Sequence, residues 1–154
     1  MSSHVETEQL CVINNRVRLI WSQTTLTFFG QTITQRFTCG KNAYIYAPTL
    51  RPGDSWSFTC KSQGGSVVQH LKAVGYTTIN VGGTNVRCLH IVIPSRIGGS
   101  DSGSSRQDIW IAATSHPQEI RNKSVINAKQ GAFSYNENVT LQLKSLRPRA
   151  SSGN

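Results

Sequence analysis

The chain has 154 residues and a net charge of +9, from 16 Lys and Arg against 7 Asp and Glu. Hydrophobic residues make up 37% and charged residues 15%, which excludes the low-hydrophobicity, high-charge composition of a disordered chain. No apolar run reaches the roughly 18–20 residues of a helical membrane span.

Val, Ile and Thr number 37, against a single Met. That bias favours strands, and the length suits one domain. Leaving out residues 1–8 and 145–154 keeps the balance at +9, so the body of the protein is basic. A basic body attracts polyanions, but these cations are spread singly, as a solvated basic surface would be.

In chain order, residues 1–9 are polar and expected to be loose. Val17 to Trp21 reads as a strand, followed by Leu26–Phe29 and by Thr32–Thr38, with Gly30 as a bend or bulge between them. Residues 43–47 form a short candidate. Pro48 and Arg51-Pro-Gly-Asp54 mark a turn. Ser55–Cys60 alternates, with Trp56, Phe58 and Cys60 on one face.

Val67–Val74 and Tyr76–Val81 are β-rich around Gly75. Gly82-Gly83 then gives a hairpin signal, because primed turns need positive φ. Thr84–Ile93 carries apolar residues on both faces, as a central strand does, and Pro94 is expected to end it. Residues 98–105, rich in Gly and Ser, read as a flexible loop. Arg106–Ala112 and residues 119–126 are strands. After Gly131, Tyr135, Val139, Leu141 and Leu143 are expected to face inward.

No window holds helical periodicity. The expected fold is all-β, with roughly nine to eleven short strands in the pattern of a sandwich, barrel or curved meander. It would span residues 10–146 as one domain, with a flexible N-terminus at 1–9 and a flexible C-terminal tail at 147–154.

Four cysteines stand at 11, 39, 60 and 88. No CxxC or HxxxH spacing accompanies them, which disfavours zinc. An even, widely spaced set reads as structural disulfides of an oxidising compartment. Met1-Ser-Ser-His4 has no apolar segment behind it, so an exported protein is expected here in mature form.

From Pro52 onward the chain resembles a family of uncharacterised secreted β domains of high-GC Gram-positive bacteria. The resemblance rests on motifs in order. These are Pro52-Gly-Asp-Ser-Trp56 followed by Cys60, Val74-Gly75, and Thr78-Ile-Asn-Val-Gly-Gly83 with Val86 and His90. Then come Ile97-Gly98, Asp101-Ser-Gly-Ser-Ser105, Asp108-Ile-Trp110, and Tyr135–Leu143 with Ser145, Leu146 and Pro148. It covers about residues 48–148. Gln118-Glu-Ile120 departs from the Gly-Leu-like step usual in the family. The resemblance implies an exported all-β domain without an assigned activity, similar in outline to lipoprotein-carrier half-barrels, and so a single antiparallel curved meander, a half-barrel or open barrel.

Of the three pairings open to four cysteines, Cys39–Cys60 is preferred. Each ends a strand candidate with the Pro-Gly turn between them, and the resembling family carries a Cys on either side of that turn. Cys11 and Cys88 would form a second bridge or remain free thiols.

Functional signals are sparse. His4, His70, His90 and His116 are the general-base candidates, with His90 in a mid-strand position that suits a structural role. There is no Gly-x-Ser-x-Gly elbow, and no close acid pair in the body for glycosidase chemistry. No metal site, cofactor or catalytic residue is expected. Trp21, Phe28, Tyr44, Trp56 and Trp110 are candidates to line a ligand cavity, with a core role as the default.

The expected function is a non-enzymatic extracytoplasmic envelope domain, structural or binding a lipid, an anionic envelope polymer or a partner protein. The alternatives are a nucleic-acid-binding barrel, disfavoured by the cysteines and the scattered charge, and a small secreted hydrolase.

Overall fold

The computed structural model describes residues 3–28, 31–63, 65–97, 101–130 and 133–147. Ten strands follow one another, with no helix among the described residues. They are β1 (Ser3–Ile13), β2 (Arg16–Phe28), β3 (Gln31–Cys39), β4 (Tyr44–Tyr46) and β5 (Ser55–Ser62), then β6 (Gly65–Val81), β7 (Thr84–Ile97), β8 (Asp101–Ala112), β9 (Glu119–Gln130) and β10 (Phe133–Gln142). All pair antiparallel in one sheet, in the order β1-β2-β3-β5-β6-β7-β8-β9-β10, with β4 on β2. The sheet curls into a half-barrel; the β-branched composition and turn spacing predict its strands, and the curl is the outline expected from the resemblance.

The curl turns about β6. Its first half, Gly65–Lys72, pairs with β5, and its second half, from Lys72 to Val81, pairs with β7. One long strand thus hands the sheet from one wall to the other. The concave side between the walls is filled by Val17, Leu19, Phe58, Leu71, Leu89, Ile91, Ile109 and Ile111, all buried. A smaller cluster on the convex side joins Ile79, Val81, Val86, Cys88, Ala112 and Ile120 under Leu143 and Leu146. β7 is therefore covered on both faces, as its two apolar faces require.

Two tight hairpins set the register. Gly82 and Gly83 have φ of 57° and 88° between Val81 and its partner Thr84, the positive-φ loop that the sequence announces. Asn14 and Asn15 do the same between β1 and β2, with φ of 50° and 58°. Asn tolerates this region better than other non-glycine residues.

Several expectations are corrected. Residues 3–9 are not loose: they form most of β1, pairing with β2 from Thr27 to Trp21. Pro94 does not end β7, which continues to Ile97 against β8. Pairing with β6 stops at Val92, so the missing N–H of Pro94 costs no ladder bond on that side. Residues 101–105 are not a loop but the start of β8, paired with β9 from Gln130 to Ile126. A backbone ladder needs no apolar side chains, so a Gly- and Ser-rich stretch can still pair on both sides.

Val139 and Leu141 share the concave side with Ser124 and Asn122, their partners on β9. They reach past the covered part of the wall, however, and stay 39% and 66% exposed. The bend expected at Gly30, residues 98–100, Gly131 and the tail beyond Arg147 lie outside the described residues, as does the side chain of Tyr135.

Cys39 and Cys60 are bonded, facing each other across the β3–β5 pair. The bridge closes a 21-residue separation and is worth about 3 kcal/mol in the chain-entropy account. The second bridge does not form: Cys11 is exposed on β1 and Cys88 is buried on β7, both free. Cys88 sits in the convex cluster, and burial raises its thiol pKa to about 11, so it packs as an inert apolar group.

Candidate binding groove on the convex face

Strand register lines up one residue from each of five strands across the convex face. Gly75 of β6 pairs with His90 of β7, His90 with Trp110 of β8, Trp110 with Arg121 of β9, and Arg121 with Gln142 of β10. Neighbours in such a rung stand about 5 Å apart, so flat side chains stack. The His90 and Trp110 rings lie 4.5 Å apart at 6°. The Arg121 guanidinium lies 5.5 Å from the centre of the Trp110 ring, where the negative face of the indole attracts a cation. Gln142 holds Arg121 in place, its Oε1 accepting from Nε at 2.9 Å and from an Nη at 2.6 Å.

Asp108 fixes the histidine. It is buried, two residues before Trp110 on the same face. Its Oδ1 meets His90 Nε2 at 2.7 Å. Arg106 donates to both oxygens, at 2.7 and 3.0 Å. The Arg106 hydrogen bond, then that of His90, with the charges of both, outweigh burial and hold the Asp108 carboxyl below its usual range. A carboxylate only accepts, so Nε2 carries the hydrogen of that bond.

The rung ends at Gly75. The β6–β7 register slips between Ala73 and Gly75, a bulge of the kind glycine favours. A side chain there would meet no atom within 4 Å of its first carbon. The space forms an open groove of about 440 Å³ lined by Val74–Asn80, His90, Trp110 and Arg121. The His90 face turned away from Trp110 borders it. The groove can therefore accept a flat group on that face, with a delocalised cation two strands away in the same rung.

A second polar cluster lies on the concave side, where β1 closes over β8 and β9. Gln107 donates to Asn122 at 3.3 Å, and Asn122 donates to Glu119 at 3.2 Å. Glu8 of β1 adds a hydrogen bond with Gln107 and faces Glu119 and Glu6. Glu8 as a whole is exposed, yet atoms of the facing wall crowd its carboxyl. Desolvation, then repulsion from Glu119 and Glu6, raises its pKa to about 7. Burial also raises that of Glu119.

Of the aromatic residues proposed from sequence whose side chains are described, only Trp110 lines the groove. Trp21 lies under Arg36 and donates to Gln9. Tyr44 lies under Arg16, and its carbonyl accepts from the Trp56 indole at 2.8 Å. Trp56 also borders a separate hollow with His70 and Pro94. The Phe28 side chain is outside the described residues. The four described aromatics are thus distributed over the two walls and do not converge on one cavity.

Sequence reasoning missed Arg106, Asp108, Gly75 and Arg121. The signal for the first two was present: Arg106, Asp108 and Trp110 alternate onto one face of a recognised strand. Glu8 and Glu119, far apart in sequence, carried no local signal. Among the described residues no group of three or more His, Cys, Asp and Glu is placed to hold a metal ion, and no helix is long and apolar enough to cross a membrane. The disulfide points to an oxidising compartment. Set against known proteins, the chain matches no family model, no curated protein and no solved structure.

Proposed function

We propose that the chain is a non-enzymatic binding domain of the extracytoplasmic cell envelope, whose groove takes a ligand with a flat face and an anionic group. The observation that carries this reading is the open position at Gly75, beside a stack of His90, Trp110 and Arg121 already built for flat groups. The flat face lies on His90, extending the stack by one member. The anionic group is drawn by Arg121 and by the positive field of a chain at +9. The disulfide supports an exported setting, and the resemblance to secreted high-GC Gram-positive domains belongs to this proposal.

Titration with 2-naphthoate, read by Trp fluorescence and by the imidazole NMR signals of His90, tests it. Cyclohexanecarboxylate, equal in charge but not flat, should bind about two- to tenfold more weakly, since ring stacking contributes about 0.5–1.5 kcal/mol. Gly75→Val, whose first side-chain carbon would meet no atom within 4 Å, should abolish 2-naphthoate binding while the thermal midpoint holds. Equal binding of the two acids, or binding unaffected by Gly75→Val, would refute the reading.

A further inference from the structure

β6 changes partners halfway, and this leaves it half unpaired. On the side away from β7, Gly53 donates to the Ala73 carbonyl at 2.8 Å and Ala73 donates to that of Asp54 at 2.9 Å. Beyond Ala73 no described strand pairs with that edge. The two-residue hairpin makes Val81 and Thr84 a hydrogen-bonded pair, and alternation along the ladder then turns Gly75, Thr77 and Ile79 toward β7. Tyr76, Thr78 and Asn80 therefore direct their N–H and C=O groups outward. The Asn80 carbonyl accepts from the Gln142 side chain at 3.3 Å, as this orientation requires.

Natural sheets guard such edges with Lys, Pro or inward charges. Between Val74 and Val81 this chain has none of them: the segment reads Val-Gly-Tyr-Thr-Thr-Ile-Asn-Val. Val74 and Tyr76 are 49% and 37% exposed. The edge also borders the groove, so a strand laid along it would set alternate side chains over Gly75. An aromatic side chain across from a glycine in a sheet covers the bare backbone and gains contact area. Here it would in addition meet the free face of His90.

The charges nearby are positive. Arg87 lies 3.9 Å above the Tyr76 ring on one side of the edge, and Arg121 lines the other. The carboxylate of Asp54, at the end of the free segment, accepts from the Arg51 amide at 2.7 Å.

We propose that the free edge of β6 from Tyr76 to Thr78 takes an extended acidic peptide as an added strand, with an aromatic side chain of that peptide over Gly75 against His90. The inference rests on the groove reading above and names its ligand as a polypeptide segment. Main-chain hydrogen bonds to Tyr76 and Thr78 supply affinity. The aromatic position and flanking acids supply selectivity, the division of labour usual in strand addition.

The probe is a capped heptapeptide, Glu-Val-Thr-Tyr-Val-Thr-Glu, with one control in which Tyr is replaced by Ala and another in which both Glu are replaced by Lys. Bound peptide should slow hydrogen exchange at the Tyr76 and Thr78 amides of the wild-type protein by about tenfold or more, and both controls should bind more weakly. Thr78→Pro, which removes one edge donor, should lose the peptide, and a peptide N-methylated at its edge-facing amides should fail to bind the wild-type protein.

Peptide binding without protection at Tyr76 and Thr78, or equal binding of the Lys control, would overturn the inference. So would protection that rises with protein concentration alone, which would assign the edge to a second copy of this chain. Binding of 2-naphthoate but not of peptide would sink strand addition and leave the groove reading standing. Failure of both probes would remove both.

Discussion

β8 and β9 carry carboxyl groups on both of their faces, and the two faces treat them oppositely. On the convex side Asp108 is buried but met by Arg106 and His90, and its pKa falls. On the concave side Glu8 and Glu119 face each other with only amides between them and the facing wall, and their pKa values rise. Burial acts in the same direction at all three sites. The sign is decided by whether cations or further carboxyls share the space. The convex arrangement holds one geometry. The concave one stores repulsion across the seam where β1 closes the curl.

Asp108→Ala should give the largest effect. It removes a buried acceptor, leaves the half-buried His90 without its partner and frees the His90–Trp110 stack. A loss of about 2 kcal/mol is expected in urea unfolding, together with weaker 2-naphthoate binding. Asp108→Asn retains the shape and an acceptor oxygen, and should recover part of both. An Ala variant as stable as wild type would show that Asp108 does not hold the rung.

The pH dependence separates the faces by sign. Glu8 titrates near 4.5 when unfolded and near 7 when folded, so its contribution is full below 4.5 and is lost as pH rises to 7. Glu119 shifts the same way. Asp108 is lowered, so its contribution is present above about 3.8 and is lost as pH falls through its folded value. Together these groups contribute most to stability at about pH 4–5. Glu8→Gln should raise stability at pH 8 by about 1 kcal/mol, the exposed part of the residue screening the remainder, and should flatten the neutral limb. Thermal midpoints measured from pH 3 to 9 check both. A wild-type profile that climbs from pH 5 to 7 would contradict the crowding of Glu8.

Much of the fold was legible because it is local. Alternation marked the strands, Gly82-Gly83 marked a turn, and the two apolar faces of Thr84–Ile93 marked a strand covered on both sides. What escaped was set by pairing partners. Asn14-Asn15 carries the same turn chemistry as Gly82-Gly83 but is a weaker signal, and without that hairpin residues 3–9 looked loose. Pro94 read as a stop because the missing N–H matters only if a neighbour faces it. Leu141 alternates correctly, yet alternation reports which way a side chain points and not whether anything lies above it.

The groove was legible only in part for the same reason. Trp110 could be named from its type. Its neighbours His90, Arg121 and Gly75 are chosen by the register of four strands, and a slip of one residue would have turned each to the opposite face.

The smallest effect tests which cation governs Asp108. The Arg106 side chain is 59% exposed and that of His90 21%. Truncating Arg106 to Met should therefore cost only about 0.5 kcal/mol, because solvent screens its charge and the guanidinium holds one geometry at an entropic cost. Its effect on proton binding should nevertheless exceed that of His90→Phe, since the Arg106 hydrogen bond is the largest cause of the lowered Asp108 pKa and the His90 bond contributes less. The carboxyl resonance of Asp108, followed by carbon NMR through the acid range, should move its midpoint upward in both variants and further in Arg106→Met. The ordering separates two roles: Arg106 keeps Asp108 ionised, while His90 uses that charge to hold its ring against Trp110. A larger shift in His90→Phe would reverse the roles and make the imidazole the principal partner of the carboxylate.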